Sequence, residues 1–175
     1  MNGMENRQCS DNWWEHPDWL YRELVEDALP WEQGVEANFK QFNDQYTLHD
    51  SFWIGIFYDV AFAQTVTLAI RMDAVWLPDR LKQHIPSPSY VDNWPYLFIR
   101  LCEVEQISTA RYADVGGDCR AIAYHEFEEV EQTKVLAIDD IYGGQVTIIY
   151  QGIETFLTLD KHRQIIQLFD NNQKA

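Results

Sequence analysis

The stretch from Thr47 to Asp73 constrains the fold of this chain most strongly, because it contains two consecutive segments with the pattern of β-strands. Apolar and more polar residues alternate from Thr65 to Met72, the period of two that places successive side chains on opposite faces of a strand. The segment from Phe52 to Tyr58 is apolar on both faces, which favours a strand covered on both sides. The stretch therefore predicts two antiparallel strands joined by a short turn, the second with one face toward water.

A short polar motif precedes the first of these strands and reads Leu48-His49-Asp50-Ser51. Aspartate and serine side chains accept hydrogen bonds from nearby backbone amides, and both residues are common where a chain turns. The motif therefore predicts a local bend at the start of the strand.

The residues before this motif favour helices. Apolar side chains recur at helical spacing from Pro17 to Leu29, and Pro30 follows as a stop signal, so the pattern predicts an amphipathic helix. A second helix is predicted from Trp31 to Phe42, despite Gly34, which weakens a helix by about 1 kcal/mol relative to alanine.

Four tryptophans lie in or near these helices, at Trp13, Trp14, Trp19 and Trp31. Large aromatic side chains at this density form either the lid of a hydrophobic core or an exposed binding surface. The sequence favours the lid, because large aromatic side chains are usually well buried.

The rest of the chain is predicted to be mostly strands and turns. Proline density between Leu77 and Trp94 excludes helix interior and central strand, and predicts a long surface loop. Gly143-Gly144 predicts a tight two-residue hairpin. The predicted strands are Tyr96 to Val104, Ala121 to Val130, Thr133 to Ile141, Gln145 to Tyr150 and Glu154 to Leu159, and a short helix is predicted from Asp160 to Phe169.

These elements predict an α+β fold, with a largely antiparallel sheet of about six or seven strands and the amino-terminal helices packed on one face. A chain of 175 residues fits a single domain. We expect it to comprise a helical segment at 1–46, the sheet at 47–159, and a short helix with a frayed tail at 160–175.

The charge balance limits the partners of the chain. It has 28 acidic and 13 basic residues, which gives a formal net charge of −15. This charge repels nucleic-acid phosphates and anionic lipid surfaces, so neither nucleic acid nor membrane is an expected partner. A protein with a basic surface is compatible with it, although an acidic balance also serves ordinary solubility. The sequence leaves the oligomeric state open.

The amino terminus lacks the basic and apolar regions of a signal peptide, and no apolar run is long enough to span a membrane. The three cysteines, Cys9, Cys102 and Cys119, have no C-x-x-C spacing, so neither a disulfide framework nor a zinc cage is predicted. We therefore expect a protein of the reducing cytoplasm.

Acidic residues near the end of the chain are the candidate partner-binding residues. They can form a solvated strand face, contact a basic partner, or act as paired carboxylates in acid–base catalysis. The solvated face is the simplest interpretation, because Glu126 and Glu128 alternate with Phe127. The candidates are Glu126, Glu128, Glu129, Glu131, Asp139 and Asp140.

Two other groups could carry chemistry. Cys119 and His125 lie near one predicted strand, which allows a thiol nucleophile, and His49, Asp50 and His125 could assemble into a metal site. In each case a structural role for the side chains is the simpler interpretation. Glycine-rich nucleotide loops and Gly-x-Ser-x-Gly are absent from the sequence, so no cofactor and no catalytic residue is predicted.

The motif at Leu48 to Ser51, with the alternating strand that ends at Met72-Asp73, resembles the opening of many small uncharacterised bacterial α+β proteins. The segments Ile138 to Ile148 and Ile153 to Leu157 continue this resemblance, which covers about the last three-quarters of the chain. Some of these proteins look like immunity proteins of polymorphic toxin systems. The acidic composition and the absence of catalytic motifs favour a non-enzymatic, protein-binding or immunity-like module. The alternative is a small hydrolase or metal-dependent enzyme that uses His49, Asp50, His125 and nearby carboxylates.

Overall fold

The computed structural model describes residues 16–59, 64–110, 121–141 and 143–169, and in these ranges the chain forms three helices and nine strands. The helices are α1 Asp18–Val25, α2 Phe39–Gln45 and α3 Asp79–Lys82. The strands are β1 Val35–Glu36, β2 Phe52–Asp59, β3 Thr65–Arg71, β4 Tyr96–Leu101, β5 Val104–Ala110, β6 Ile122–Val130, β7 Thr133–Asp140, β8 Gln145–Tyr150 and β9 Glu154–Leu159.

The strands form two antiparallel sheets. The first sheet has five strands in the order β1-β9-β4-β3-β2, and the second has four in the order β5-β8-β7-β6. The predicted α+β class and antiparallel pairing are confirmed. The prediction of one sheet with six or seven strands is wrong, because the chain leaves the first sheet after β4 and returns to it only with β9.

A bent two-stranded ribbon connects the two sheets. β4 pairs with β9 in the first sheet up to Leu101 opposite Glu154, and β5 pairs with β8 in the second sheet from Val104 opposite Tyr150. The predicted strand from Tyr96 to Val104 is therefore divided at this bend, and β5 was not predicted at all. The second sheet is an excursion between two neighbouring strands of the first.

Gly152 allows the two arms of the ribbon to approach closely at the bend. Its amide donates to the carbonyl oxygen of Cys102 over 3.0 Å, and a Cβ on this glycine would lie 2.6 Å from the same oxygen. On the opposite arm Glu103 has a φ of 53°, a left-handed conformation that turns the chain sharply. The backbone of these residues sets the angle between the sheets.

The first sheet is covered on both faces. Leu20 and Leu24 of α1 pack with Tyr96 and Phe98 on one face, which we call the α1 face. The residues that alternate with these along each strand, such as Leu68, belong to the cluster on the other face. The second sheet covers that face. The prediction that β3 has a water-exposed face is wrong, because α1 covers the residues that alternate with its core side chains.

Helix α2 packs at one end of the core between the sheets. Phe39 stacks on Phe127 of β6 with ring centroids 5.1 Å apart, and Phe42 stacks on Phe156 of β9 at 5.2 Å. The helix begins after Asn38, whose side-chain oxygen accepts from the amide of Gln41 over 2.8 Å. These contacts tie α2 to both sheets.

The prediction of a helix from Trp31 to Phe42 is wrong in its first half. Trp31–Gln33 forms one 3₁₀ turn, and Val35–Glu36 forms β1, which pairs with β9. Gly34 is extended, and a Cβ there would lie 3.0 Å from the Cγ2 of Thr155. Close approach to β9 therefore overrides the helical pattern.

Two predictions near the carboxyl terminus are also wrong. In place of a helix after Asp160, one of its side-chain oxygens accepts from the amides of His162 and Gln164, each over 2.8 Å, and Ile165 bridges back to Leu159. The connection from the end of β7 at Asp140 to the start of β8 at Gln145 is also longer than the predicted two residues. The hydrogen bonds to the Asp160 side chain favour this turn over the predicted helix.

The proline-rich segment is less irregular than its sequence predicts. α3 and a 3₁₀ turn at Val91–Asn93 lie within it, and the buried indole of Trp94 donates to the carbonyl oxygen of Pro88 over 2.7 Å. None of the described helices, which have eight, seven and four residues, is long and apolar enough to cross a membrane.

Candidate protein-binding face

The polar motif at His49 to Ser51 connects the edges of the two sheets. Asp50 has a φ of 62°, and its amide donates to the carbonyl oxygen of Ile122 over 2.9 Å. The amide of Ile122 donates in turn to the carbonyl oxygen of Ser51 over 2.8 Å. The predicted bend is confirmed, and the backbone of the motif has a structural role at the first residue of β6.

The side chains of His49 and Asp50 pair with each other, and His125 pairs elsewhere. His49 Nδ1 lies 3.1 Å from Asp50 Oδ2, whereas His125 Nε2 lies 2.7 Å from Asn43 Oδ1 on α2. Burial lowers the pKa of His125, which favours its neutral form. Within the described residues, no three His, Cys, Asp or Glu side chains are grouped to hold a metal ion.

The structure describes one of the three cysteines. Cys102 is a partly buried free cysteine at the ribbon bend, and burial raises the pKa of its thiol, which disfavours the reactive thiolate. Cys9 and Cys119 lie outside the described residues. The pairing of Cys119 with His125 therefore stays a prediction.

One face of the second sheet, which we call the open face, has no described helix or sheet packed on it. The buried apolar residues of α1, α2 and α3 all belong to the clusters on the two faces of the first sheet. Alternation and strand register place these residues on the open face: Gln106, Ser108, Ala110, Tyr124, Glu126, Glu128, Val135, Ala137, Asp139, Gln145, Thr147 and Ile149.

The open face combines an apolar centre with an acidic margin. Val135 and Ile149 are register partners on the two central strands and are only partly buried. Glu126 and Glu128 lie along the outermost strand β6 and are exposed, and Tyr124 above them is 55% exposed. Aliphatic side chains that no described element covers, next to carboxylates, form a surface suited to a partner.

The six predicted acidic candidates do not all lie on this face. Strand register places Glu126, Glu128 and Asp139 on the same face. Asp139 on β7 is paired with Tyr124, which lies two residues before Glu126 on β6. Glu131 is in the turn between β6 and β7, with a φ of 59°. Their role in partner binding stays a prediction.

Asp140 and Glu129 have other surroundings. An oxygen of Asp140 accepts from the amide of Gly144 over 2.9 Å, so this carboxylate caps the hairpin loop. Glu129 follows Glu128 on the opposite side of β6, where its register partner on β7 is Lys134. Neither side chain shares the open face with the other three acidic residues.

The described strands of the second sheet carry more acidic than basic side chains. Its strands contain six acidic residues and one basic residue, Lys134. Lys134 is not directed to the open face, because its Nζ lies 3.2 Å from Glu154 Oε1 and 3.0 Å from the carbonyl oxygen of Gly152. The described residues of the open face therefore include three carboxylates and no basic side chain.

Lys134 belongs to a buried polar network that the sequence did not predict. The hydroxyl of Tyr150 donates to Glu154 Oε1 over 2.6 Å, and Lys134 Nζ lies 5.7 Å from the centre of the Tyr150 ring. Burial, and then the hydrogen bond to Glu154, raises the pKa of Tyr150 well above its usual range. The network stabilises the return of the chain from the second sheet to the first.

Strand β6 is an edge strand of the second sheet as far as the structure describes the chain. Among the described strands it pairs with β7 alone, and on its other side the described backbone contacts are those of Ile122 and the bridge from Ala121 to Phe52. An unpaired strand edge can bind an extended segment, and charged side chains along it discourage unspecific pairing.

Two of the four tryptophans near the predicted helices are described, and they fit the lid better than an exposed surface. Trp19 and Trp31 are partly buried, and both pack against the cluster on the α1 face. The Trp19 ring lies 5.8 Å from that of Tyr96, and the Arg100 guanidinium lies 4.1 Å from the centre of the Trp31 ring. Trp13 and Trp14 are outside the described residues.

Comparison with known protein families, with curated proteins and with solved structures found no match to this chain.

Proposed function

We propose that this protein is a non-enzymatic binding module that uses the open face of the second sheet to bind a protein with a basic surface. The observation that carries the proposal is the open face itself, where Glu126, Glu128 and Asp139 flank an apolar centre that no described element covers.

The charge of the face supports a basic protein as the occupant. Lysine and arginine side chains of the partner would lie opposite the three carboxylates, which steers the encounter and fixes the register of binding. Apolar side chains of the partner would cover Val135 and Ile149. A nucleic acid or an anionic lipid surface would be repelled by the same carboxylates and by the net charge of −15.

An immunity-like role is one form of this function. The sequence resemblance implies it, and a toxin with a basic surface would then be the bound protein. Complementary charge suits such a pair, because fast association matters for inhibition and electrostatic steering raises association rates.

An affinity pull-down with the purified protein tests the proposal. The wild type is compared with E126Q/E128Q/D139N, which removes the negative charge of the open face with little change in shape. E26Q/E32Q/E36Q is the matched control, because it neutralises three exposed glutamates elsewhere in the amino-terminal part of the chain. Each protein is used at low salt and at ~0.15 M salt, where charges more than about 8 Å apart are screened.

The proposal predicts that the wild type and the control capture the same basic protein, that more salt weakens its binding, and that the open-face variant loses it. Equal capture by the open-face variant and the control would show that the acidic margin only keeps the strand solvated. Capture of an acidic protein, or of a basic protein with no dependence on salt, also contradicts the proposal.

A further inference from the structure

A buried arginine on the α1 face lacks an anionic partner among the described residues. Arg71, at the end of β3, is only 2% exposed, and its Nε and Nη1 have no hydrogen-bond partner there. Tyr96 is its register partner on β4, is fully buried, and has a hydroxyl that also lacks a described partner. Two neighbouring donors therefore lie unused on one face of the sheet.

A guanidinium without a counter-ion is costly in this position. Arginine keeps its charge at neutral pH, and a buried charge needs an opposite charge and acceptors for its N–H groups. Asp92 is the described carboxylate that acts on Arg71, but it is exposed and forms no ion pair with the guanidinium. Within the part of the chain that the structure describes, these donors have no acceptor.

The surroundings of these donors are aromatic. The guanidinium carbon lies 5.3 Å from the centre of the Tyr96 ring. The rings of His16 and Trp19 meet that of Tyr96 edge-on at 6.0 and 5.8 Å, and Tyr21 meets His16 at 5.4 Å. Aromatic walls around one cation suit a flat ligand that carries a single anionic group.

We propose that Arg71 and Tyr96 form a binding site for the carboxylate of a small, flat organic acid. The guanidinium donates to the carboxylate from Nε and from the neighbouring Nη2, the two N–H groups that form a fork in arginine. The hydroxyl of Tyr96 donates a further hydrogen bond, and the rings of His16 and Trp19 contact the apolar body. The site lies on the opposite side of the first sheet from the second sheet, so it is separate from the open face.

Isothermal titration calorimetry with benzoate tests this site. We expect one benzoate to bind per chain, and benzamide, which has the same shape without the charge, to bind at least about tenfold more weakly. R71M should abolish benzoate binding, R71K should weaken it about tenfold or more because lysine lacks the fork, and Y96F should weaken it about tenfold. R22M is the matched control, because Arg22 is an exposed arginine on α1, and its binding should equal that of the wild type.

Inorganic phosphate separates the remaining outcomes. Phosphate binding without benzoate binding overturns the carboxylate assignment. A lack of benzoate binding by the folded wild type overturns the proposal.

Unfolding of R71M without benzoate gives a second readout. An unfilled site predicts that R71M is at least as stable as the wild type, because methionine removes an uncompensated buried charge. Clear destabilisation of R71M, with no benzoate effect on the wild type, contradicts the proposal.

Discussion

The backbone amide of Ile122 donates to the carbonyl oxygen of Ser51 over 2.8 Å, and this hydrogen bond joins the outermost strands of the two sheets. Ser51 directly precedes β2, the last strand of the first sheet, and Ile122 begins β6, the last strand of the second. The ribbon of β4, β5, β8 and β9 connects the sheets through the chain itself. The two sheets are therefore held together at two separate places.

Replacing Ser51 with alanine should destabilise the protein. Its hydroxyl oxygen is fully buried and accepts from the amide of Asp73 over 3.0 Å, so the variant removes a buried acceptor. We expect the free energy of unfolding to fall by about 1–3 kcal/mol in urea titrations. S108A, at an exposed position of β5, should change it by less than about 0.5 kcal/mol. Equal effects of the two variants would show that the Ser51 hydroxyl is unimportant.

Replacing Glu154 with alanine should be more damaging. The variant leaves the ammonium of Lys134 without its carboxylate and removes the acceptor of the buried Tyr150 hydroxyl. Loss of one partner of a largely buried ion pair costs about 3–5 kcal/mol, measured as the free energy of unfolding in urea. E36A removes an exposed glutamate from β1 and serves as the control, with little expected change. A loss below about 1 kcal/mol for E154A would mean that water replaces the network.

His125 should make stability depend on pH below about 6.5. Its pKa in the folded protein is lowered by burial from the ordinary value of 6.5, so the unfolded chain binds this proton more readily. The contribution of the neutral imidazole is complete above pH 6.5 and is lost as the pH falls through the folded pKa. Urea titrations of the wild type and H125Q from pH 7.5 to 4.5 measure this difference, since both proteins share every carboxylate. Parallel curves would contradict the prediction.

Replacing Gly152 with alanine should strain the ribbon bend. The new Cβ would lie 2.6 Å from the carbonyl oxygen of Cys102, and backbone on both arms must move to admit it. We expect a loss of about 1–3 kcal/mol in the free energy of unfolding. G55A is the control, because its Cβ would meet only the edge of the Phe57 ring at 3.1 Å, and that side chain can move. Equal losses would show that the bend tolerates a side chain.

Local sequence patterns predicted most strands and the antiparallel pairing of neighbours. They did not predict which strands that are distant in the sequence pair with each other. Alternation located β3 and the hairpin from β6 to β7, because half-buried strands have a period of two. β5 was not predicted, because a register shift between Val104 and Gln106 interrupts the alternation of apolar and polar residues along the strand. The division into two sheets depends on pairs such as Leu101 with Glu154, which lie far apart in the sequence.

The candidate face could be predicted only in part for a similar reason. The period of two places Glu126 and Glu128 on one side of a strand, but Asp139 joins them through strand register. Arg71 was assigned to a polar face, because alternation in β3 does not show that α1 covers that face. A single cation at the end of an otherwise uncharged strand is the signal that could have marked it.

The bent ribbon also has a mechanical consequence. β9 and β4 are interior strands of the first sheet, and they continue through Gly152 and Glu103 into β8 and β5. A force applied to the second sheet is therefore transmitted along covalent chain and paired hydrogen bonds into the middle of the first sheet. Because pulling along paired strands loads many hydrogen bonds at once, the two sheets resist separation together and yield together.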